Sequence, residues 1–268
     1  MTRWALGVEY DGSCFHGFQR QSAPGVASVQ GDLEGALGRI ADHPVRIVCA
    51  GRTDAGVHAT GQVIHFDSTA TRSERDWQRG GNTLTHQGIC IHWAKAVDAT
   101  FSARFSARWR RYLYLLTDQR PRQALLRDRV AVVPGPLDAA LMHDAAQALV
   151  GEHDFSSFRA AQCQASHPRR EIQSITVRRS GQLLGIEIQA NAFLQHMVRN
   201  ITGSLLQVGL RQRDPKWMAE ILLARDRTQA GIAAPPEGLY LTAVGYGAEW
   251  SLPTAPSLPW PGMWGAIG

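Results

Sequence analysis

At 268 residues with 44% hydrophobic content, the chain can bury one large core or two modest ones. Its net charge is +5, with a pI near 9.3, and 26 of its 28 basic residues are arginines, whose planar forks suit phosphate oxygens. No apolar run approaches the roughly eighteen residues of a membrane span and no leader-type segment is visible. Cys14, Cys49, Cys90 and Cys163 are widely spaced and form no C-x-x-C pair, so the expectation is a soluble cytoplasmic protein with reduced thiols, no metal and no membrane contact.

In chain order, the first half reads as strand Arg3–Tyr10, helix Ser28–Ala41, strand Val45–Ala50, strand Gly61–Phe66, helix Ser73–Thr83 and strand Ile89–Lys95. Ser28 is a natural N-cap, and Val29, Leu33, Ala36, Leu37 and Ile40 share one helical face. The second half repeats the order: strand Arg111–Leu116, helix Asp138–Val150, strands Glu171–Arg178 and Leu183–Ala190 joined at Ser180-Gly181, helix Phe193–Val208 and strand Tyr240–Tyr246. Asp214-Pro215 predicts the N-cap and first position of an additional helix.

That pattern is β-α-β-β-α-β twice. It predicts an α+β fold of two ferredoxin-like units joined around a central antiparallel sheet, with helices on one face. The helix-free faces are expected to stay open and to floor a basic cleft, as in RNA-binding modules. The expected division is 1–105, 106–250 and a tail over 251–268, where Pro253, Pro256, Pro259 and Pro261 exclude regular structure and Trp260 and Trp264 would anchor it to the body.

Between the β-branched runs lies Gly51-Arg52-Thr53-Asp54-Ala55-Gly56-Val57-His58, a carboxylate in a glycine-bracketed loop beside a cation. Alone, such an aspartate reads as a turn-former. The whole string, continued by Gly61-Gln62-Val63-Ile64-His65-Phe66, has companions elsewhere. They are Tyr10-Asp11-Gly12-Ser13 with Gly17-Phe18-Gln19-Arg20-Gln21, Phe105-Ser106-Ala107 with Arg110-Arg111-Tyr112, the block Gly151–Arg159, Ala190–Phe193 with His196–Ile201, and Glu237–Leu241. These ordered blocks resemble the tRNA pseudouridine synthase A family up to about Gly247, with Phe18 where a Trp is usual and Gly81–His86 departing from the family's Asn-Leu-Pro loop.

The resemblance implies an isomerase that converts uridine to pseudouridine around positions 38 to 40 of the tRNA anticodon arm, working as a homodimer. It implies Asp54 as nucleophile, at C1′ or C6 or by way of a glycal. It nominates Arg199 as its charge partner, since a desolvated carboxylate needs a cation to stay ionised. Arg52 would displace the base or hold a phosphate after displacement, Tyr112 would stack on the uracil and Leu239 would wall it. Nothing is added or removed in the reaction, so no cofactor is expected. Arg104, Arg108, Arg110 and Arg111, with Trp109 among them, are expected to form a phosphate-binding group beside Tyr112. A purely RNA-binding module would leave Asp54 unexplained, and the signatures of zinc deaminases, G-x-S-x-G hydrolases and P-loop proteins are absent.

Overall fold

The computed structural model describes residues 1–21, 23, 25–119 and 123–254. Trp260 and Trp264, and with them the expected anchoring of the tail, lie outside the described residues. The described residues divide into two compact units, Met1–Trp109 with residues 240–254, and Arg110–Leu239. Both are mixed α+β, and no helix among the described residues is long and apolar enough to cross a membrane.

In the first unit, β1 (Thr2–Tyr10) lies between β3 (His58–Ser68) and β4 (Ile89–Val97), antiparallel to both, with Trp4 opposite Phe66 and Leu6 opposite Ile64. Two further strands share the other edge of β3. The short β2 (Val48–Cys49) pairs with its later half, and β10 (Leu239–Gly245) runs parallel to its start, Tyr240 beside His58. The predicted strand Val45–Ala50 is therefore shortened. Its first half bonds to a helix instead: Glu34 Oε1 accepts the Ile47 amide at 3.2 Å. Helices α1 (Val29–Ala41) and α2 (Glu74–Leu84) cover one face, α1 capped by Ser28 as the sequence predicts and α2 by a Ser73–Asp76 capping box.

Alternation along β3 assigns the two faces. Phe66 meets Trp77 of α2, at 5.0 Å between rings, while His65 points the other way onto Phe101 at 6.0 Å. That second face is not open. Phe101 and Ala103, both fully buried, pack with Tyr246, Trp250 and Leu252 over Ala5, Ala50 and Val63. Arg3 fastens this cover, its fork gripping Asp67 through two 2.7 Å bonds while Nη1 donates to the Phe101 carbonyl at 2.9 Å. The amphipathic strands show that a face is apolar, but its covering comes from segments without periodicity, which pattern reading passes over.

In the second unit β5 (Trp109–Thr117), β9 (Leu183–Ala190), β8 (Arg169–Ser180) and β7 (Gly151–Asp154) are successive antiparallel neighbours, and β6 (Ala131–Val132) runs parallel to the end of β5. Helix α3 (Ala139–Ala146), with Asp138 as N-cap, packs on β8 and on α4 (Met197–Gly209). Helix α4 starts four residues later than its apolar spacing predicts. Asn191 Oδ1 takes the Ala192 and Glu171 amides, an Asx-type turn that competes with helix, and His196 enters with φ of 62°. At α5 (Trp217–Ala224), Asp214 accepts the Lys216 amide in a preliminary turn, so the helix begins two residues beyond Pro215.

Candidate active site

The loop between β2 and β3 holds Asp54 by a buried polar network. Gln62, fully buried on β3, grips Gly51 with both ends of its carboxamide: Nε2 donates to the Gly51 carbonyl at 2.7 Å and Oε1 accepts the Gly51 amide at 3.4 Å. The same Nε2 lies 3.3 Å from the Tyr10 hydroxyl, which is 2.8 Å from Thr53 Oγ1. Thr53 is thus tied at its side chain, and its carbonyl accepts the Phe18 amide at 3.0 Å. The turn closes with the Val57 amide on the Asp54 carbonyl at 3.2 Å, and Gly56 takes the positive φ, 77°, that this tight return demands. Asp54 sits half-buried at the tip and Arg52 is exposed beside it.

A second layer supports that loop. Gly17 (φ 96°) passes so close that a Cβ there would stand 3.1 Å from the Thr53 carbonyl oxygen. His58, the first residue of β3, accepts the Gly12 amide at Nδ1 (3.0 Å), lies 3.3 Å from Asp11 Oδ1 and stacks on Tyr240 at 4.7 Å. An Nδ1 that accepts a backbone N–H places the ring proton of neutral His58 on Nε2.

In the second unit, Tyr112 stands on β5 opposite Ile188, nearly buried, with its ring edge-on to Phe193 at 4.9 Å. Tyr114, two residues on and facing the same way, donates to the Pro235 carbonyl at 2.8 Å, and burial raises its pKa, keeping the phenol protonated. Leu239 is buried at the head of β10. Arg199, half-buried on α4, donates from Nε to the Ala234 carbonyl at 2.7 Å, while its own carbonyl accepts the Ala234 amide at 2.9 Å. This strap lies against α4 because Gly203 has no side chain: a Cβ would collide with the Ile232 carbonyl. Ser204 Oγ accepts the Gly231 amide at 2.9 Å.

The arginines expected to act together are distributed. Arg104 lies over the exposed Phe105 ring at 5.2 Å, and Arg108 pairs with Glu249 at 3.2 Å on the surface. Successive residues of β5 point to opposite faces. Arg110 is buried on the Tyr112 side, donating to the Asn191 carbonyl at 3.0 Å, whereas Arg111 reaches across the other face to Gln189 Oε1 at 2.7 and 2.9 Å. Asp54 and Arg52 share one loop; Arg110 and Tyr112 share one strand face. Gln62, Tyr10 and His58 were not singled out for a role by the sequence, although a carboxamide inside a β-branched run was the available signal at Gln62. Among the described residues no group of three His, Cys, Asp or Glu side chains is placed to hold a metal ion.

Residues 7–106 and 145–247 match the sequence profile of the family described as tRNA pseudouridine synthase. The chain is 54% identical over 251 residues to the tRNA pseudouridine synthase A of Pseudoalteromonas atlantica, a stretch that covers 94% of this chain and 95% of that protein. It is 53% identical over 251 residues to the protein of the same name from Xanthomonas oryzae pv. oryzae (94% and 98% covered) and 54% identical over 257 residues to that from Aeromonas salmonicida (96% and 95% covered).

Proposed function

This chain belongs to the tRNA pseudouridine synthase family, isomerases of uridine in tRNA, and from that premise we propose that Asp54 is its nucleophile and the anticodon arm, around positions 38 to 40, its target. The observation that carries the reading is the Gln62–Tyr10–Thr53 network, which fixes the loop at Gly51 and Thr53, directly before the half-buried Asp54. A carboxylate held still by its backbone needs no reorganisation when the sugar or base arrives.

The reaction balances within the substrate. The C1′–N1 bond breaks, the base turns, C1′ joins C5, the C5 hydrogen leaves as a proton and N1 takes one up; no cofactor or metal enters. Asp54 serves as nucleophile at C1′ or C6, or assists elimination to a glycal. Arg199 serves as its charge partner, with the Ala234 strap fixing the guanidinium's direction. Arg52, exposed on the loop, displaces the base, and Tyr112 and Leu239 receive the flipped uracil. Arg108, Arg110 and Arg111 contact phosphates. The fold behind this reading is two ferredoxin-like units around a basic cleft, divided near residue 105 and followed by the tail from 251, in a cytoplasmic homodimer.

The test is Asp54→Asn, which keeps size and hydrogen bonding but removes the charge. Tritium release from uracil-C5-labelled tRNA should vanish while tRNA affinity stays within a few-fold of wild type. Turnover near the wild-type rate would remove Asp54 from the chemistry.

A further inference from the structure

In the first unit, α1 and α2 meet where Gly80 lets the helices close: a Cβ there would stand 3.1 Å from Ile40 Cδ1. Beside that contact runs a groove of about 590 Å³ lined by Arg39, Arg72, Arg75 and Arg79 together with Asp76. All four arginines are exposed, and among the described residues none forms an ion pair. Arg72 is aimed by its Nε donating to the Ile40 carbonyl at 3.0 Å, at the C-terminal end of α1. The carboxylate within the group, Asp76, is turned to its own helix start, with Oδ2 accepting from both the amide and the hydroxyl of Ser73 at 2.8 Å. Four cations against one engaged carboxylate is a large share of a net charge of only +5.

Such an arrangement does not help the fold. Arg75 and Arg79 are one helical turn apart, a spacing at which like charges repel. They stand about 6 Å apart along the axis with Arg39 and Arg72 alongside, a row of forks rather than a closed pocket. A small anion would need enclosing donors, whereas a row of exposed guanidinium groups fits successive phosphates of one nucleic-acid strand.

Its position within the unit says which part of the RNA. The Asp54 loop precedes β3 and Arg72 follows it, and the eleven residues of that strand span roughly 35 Å. The groove therefore opens at the end of that strand remote from the Asp54 loop, with Arg72 furthest away and Arg79 carried back toward the middle of the sheet by α2. We propose that the Arg39–Arg72–Arg75–Arg79 groove is a second RNA-binding site, holding the phosphate backbone of the tRNA body outside the arm that carries the target uridine. The proposal rests on tRNA being the substrate.

Arg75→Gln combined with Arg79→Gln tests it, with binding measured across a salt series for full-length tRNA and for an isolated anticodon stem-loop. Full-length tRNA should bind at least about fivefold more weakly, with the slope of log K against log salt shallower by about two units, while stem-loop affinity is unchanged. The melting temperature should hold or rise, because a repulsive pair has been removed. Full-length binding and slope equal to wild type would overturn the proposal. Equal weakening of both RNAs would overturn it too, since the contact would then belong to the reacting arm. Failure of the wild-type protein to bind tRNA would instead strike the substrate reading itself.

Discussion

The two units hold their candidate site residues by different means. In the first, Asp54 is placed by its own neighbourhood: a short loop, Gly56 at positive φ and a buried carboxamide only eight residues on. In the second, Arg199 is aimed by a strap 35 residues downstream that can approach α4 only because Gly203 leaves room for it. A polar network tolerates small shifts and fails when a partner is deleted. A backbone-to-backbone contact tolerates no added atom. The first unit should therefore be vulnerable to losing hydrogen bonds, and the second to gaining volume.

The largest expected effect follows from the second half of that contrast. Gly203→Val puts a branched side chain into the Ile232 carbonyl, and because both sides are backbone the strap must leave; we expect a loss above about 3 kcal/mol in urea unfolding. Gly203→Ala should fall between it and wild type. A Gly203→Val protein as stable as wild type would show that the strap is not held by close approach.

Next comes Gln62→Leu, of similar size but without the carboxamide. It strands the Gly51 amide and carbonyl and one partner of Tyr10, costing about 1–3 kcal/mol. If the network positions Asp54, kcat should fall by more than tenfold with KM little changed, and Gln62→Glu should not restore it, since an ionised carboxylate cannot donate to the Gly51 carbonyl. A rate loss no larger than the unfolded fraction explains would reduce Gln62 to a purely structural role.

Acid should loosen the cover over the first unit's second face. His65 accepts the Ala103 amide at Nδ1 (3.0 Å), and burial lowers its pKa, so the folded protein holds it neutral. The unfolded chain then binds the extra proton, and stability falls as pH drops through the ordinary histidine value of about 6.5. Asp67 acts in the same direction at lower pH. The Arg3 hydrogen bonds depress its pKa, so its contribution is complete above the ordinary carboxylate value and lost as pH falls through the depressed one. Melting temperatures at pH 7.5 and 5.5 for wild type and His65→Gln would show it: the variant should lose part of the pH dependence. Identical curves would exclude His65 as the titrating group.

The smallest effect separates neighbours on β5. Arg111→Gln should flatten the salt dependence of tRNA binding by about one unit with little loss of stability, as its partner Gln189 remains solvated. Arg110→Gln, at a buried position, should cost stability first. The reverse order would exchange their roles.

Much of this protein was legible one segment at a time. The helix cap Ser28, the helix starts at Ser73 and Asp138, the strands flanking Asp54 and the glycine-bracketed loop itself are encoded within a few residues of where they act, since caps, turns and periodicity are short-range physics. Distance decided the rest. Glu34 drew the 45–47 segment off the β3 ladder, and Asn191 delayed α4. β10, the last strand of the second repeat by sequence order, runs beside β3 of the first unit. Strand alternation sent Arg110 and Arg111 to opposite faces, so adjacency in the chain did not become adjacency in space. Residues distant in sequence meet only after the chain has bent around its core, and which of several chemically acceptable partners they find depends on packing that no single stretch specifies.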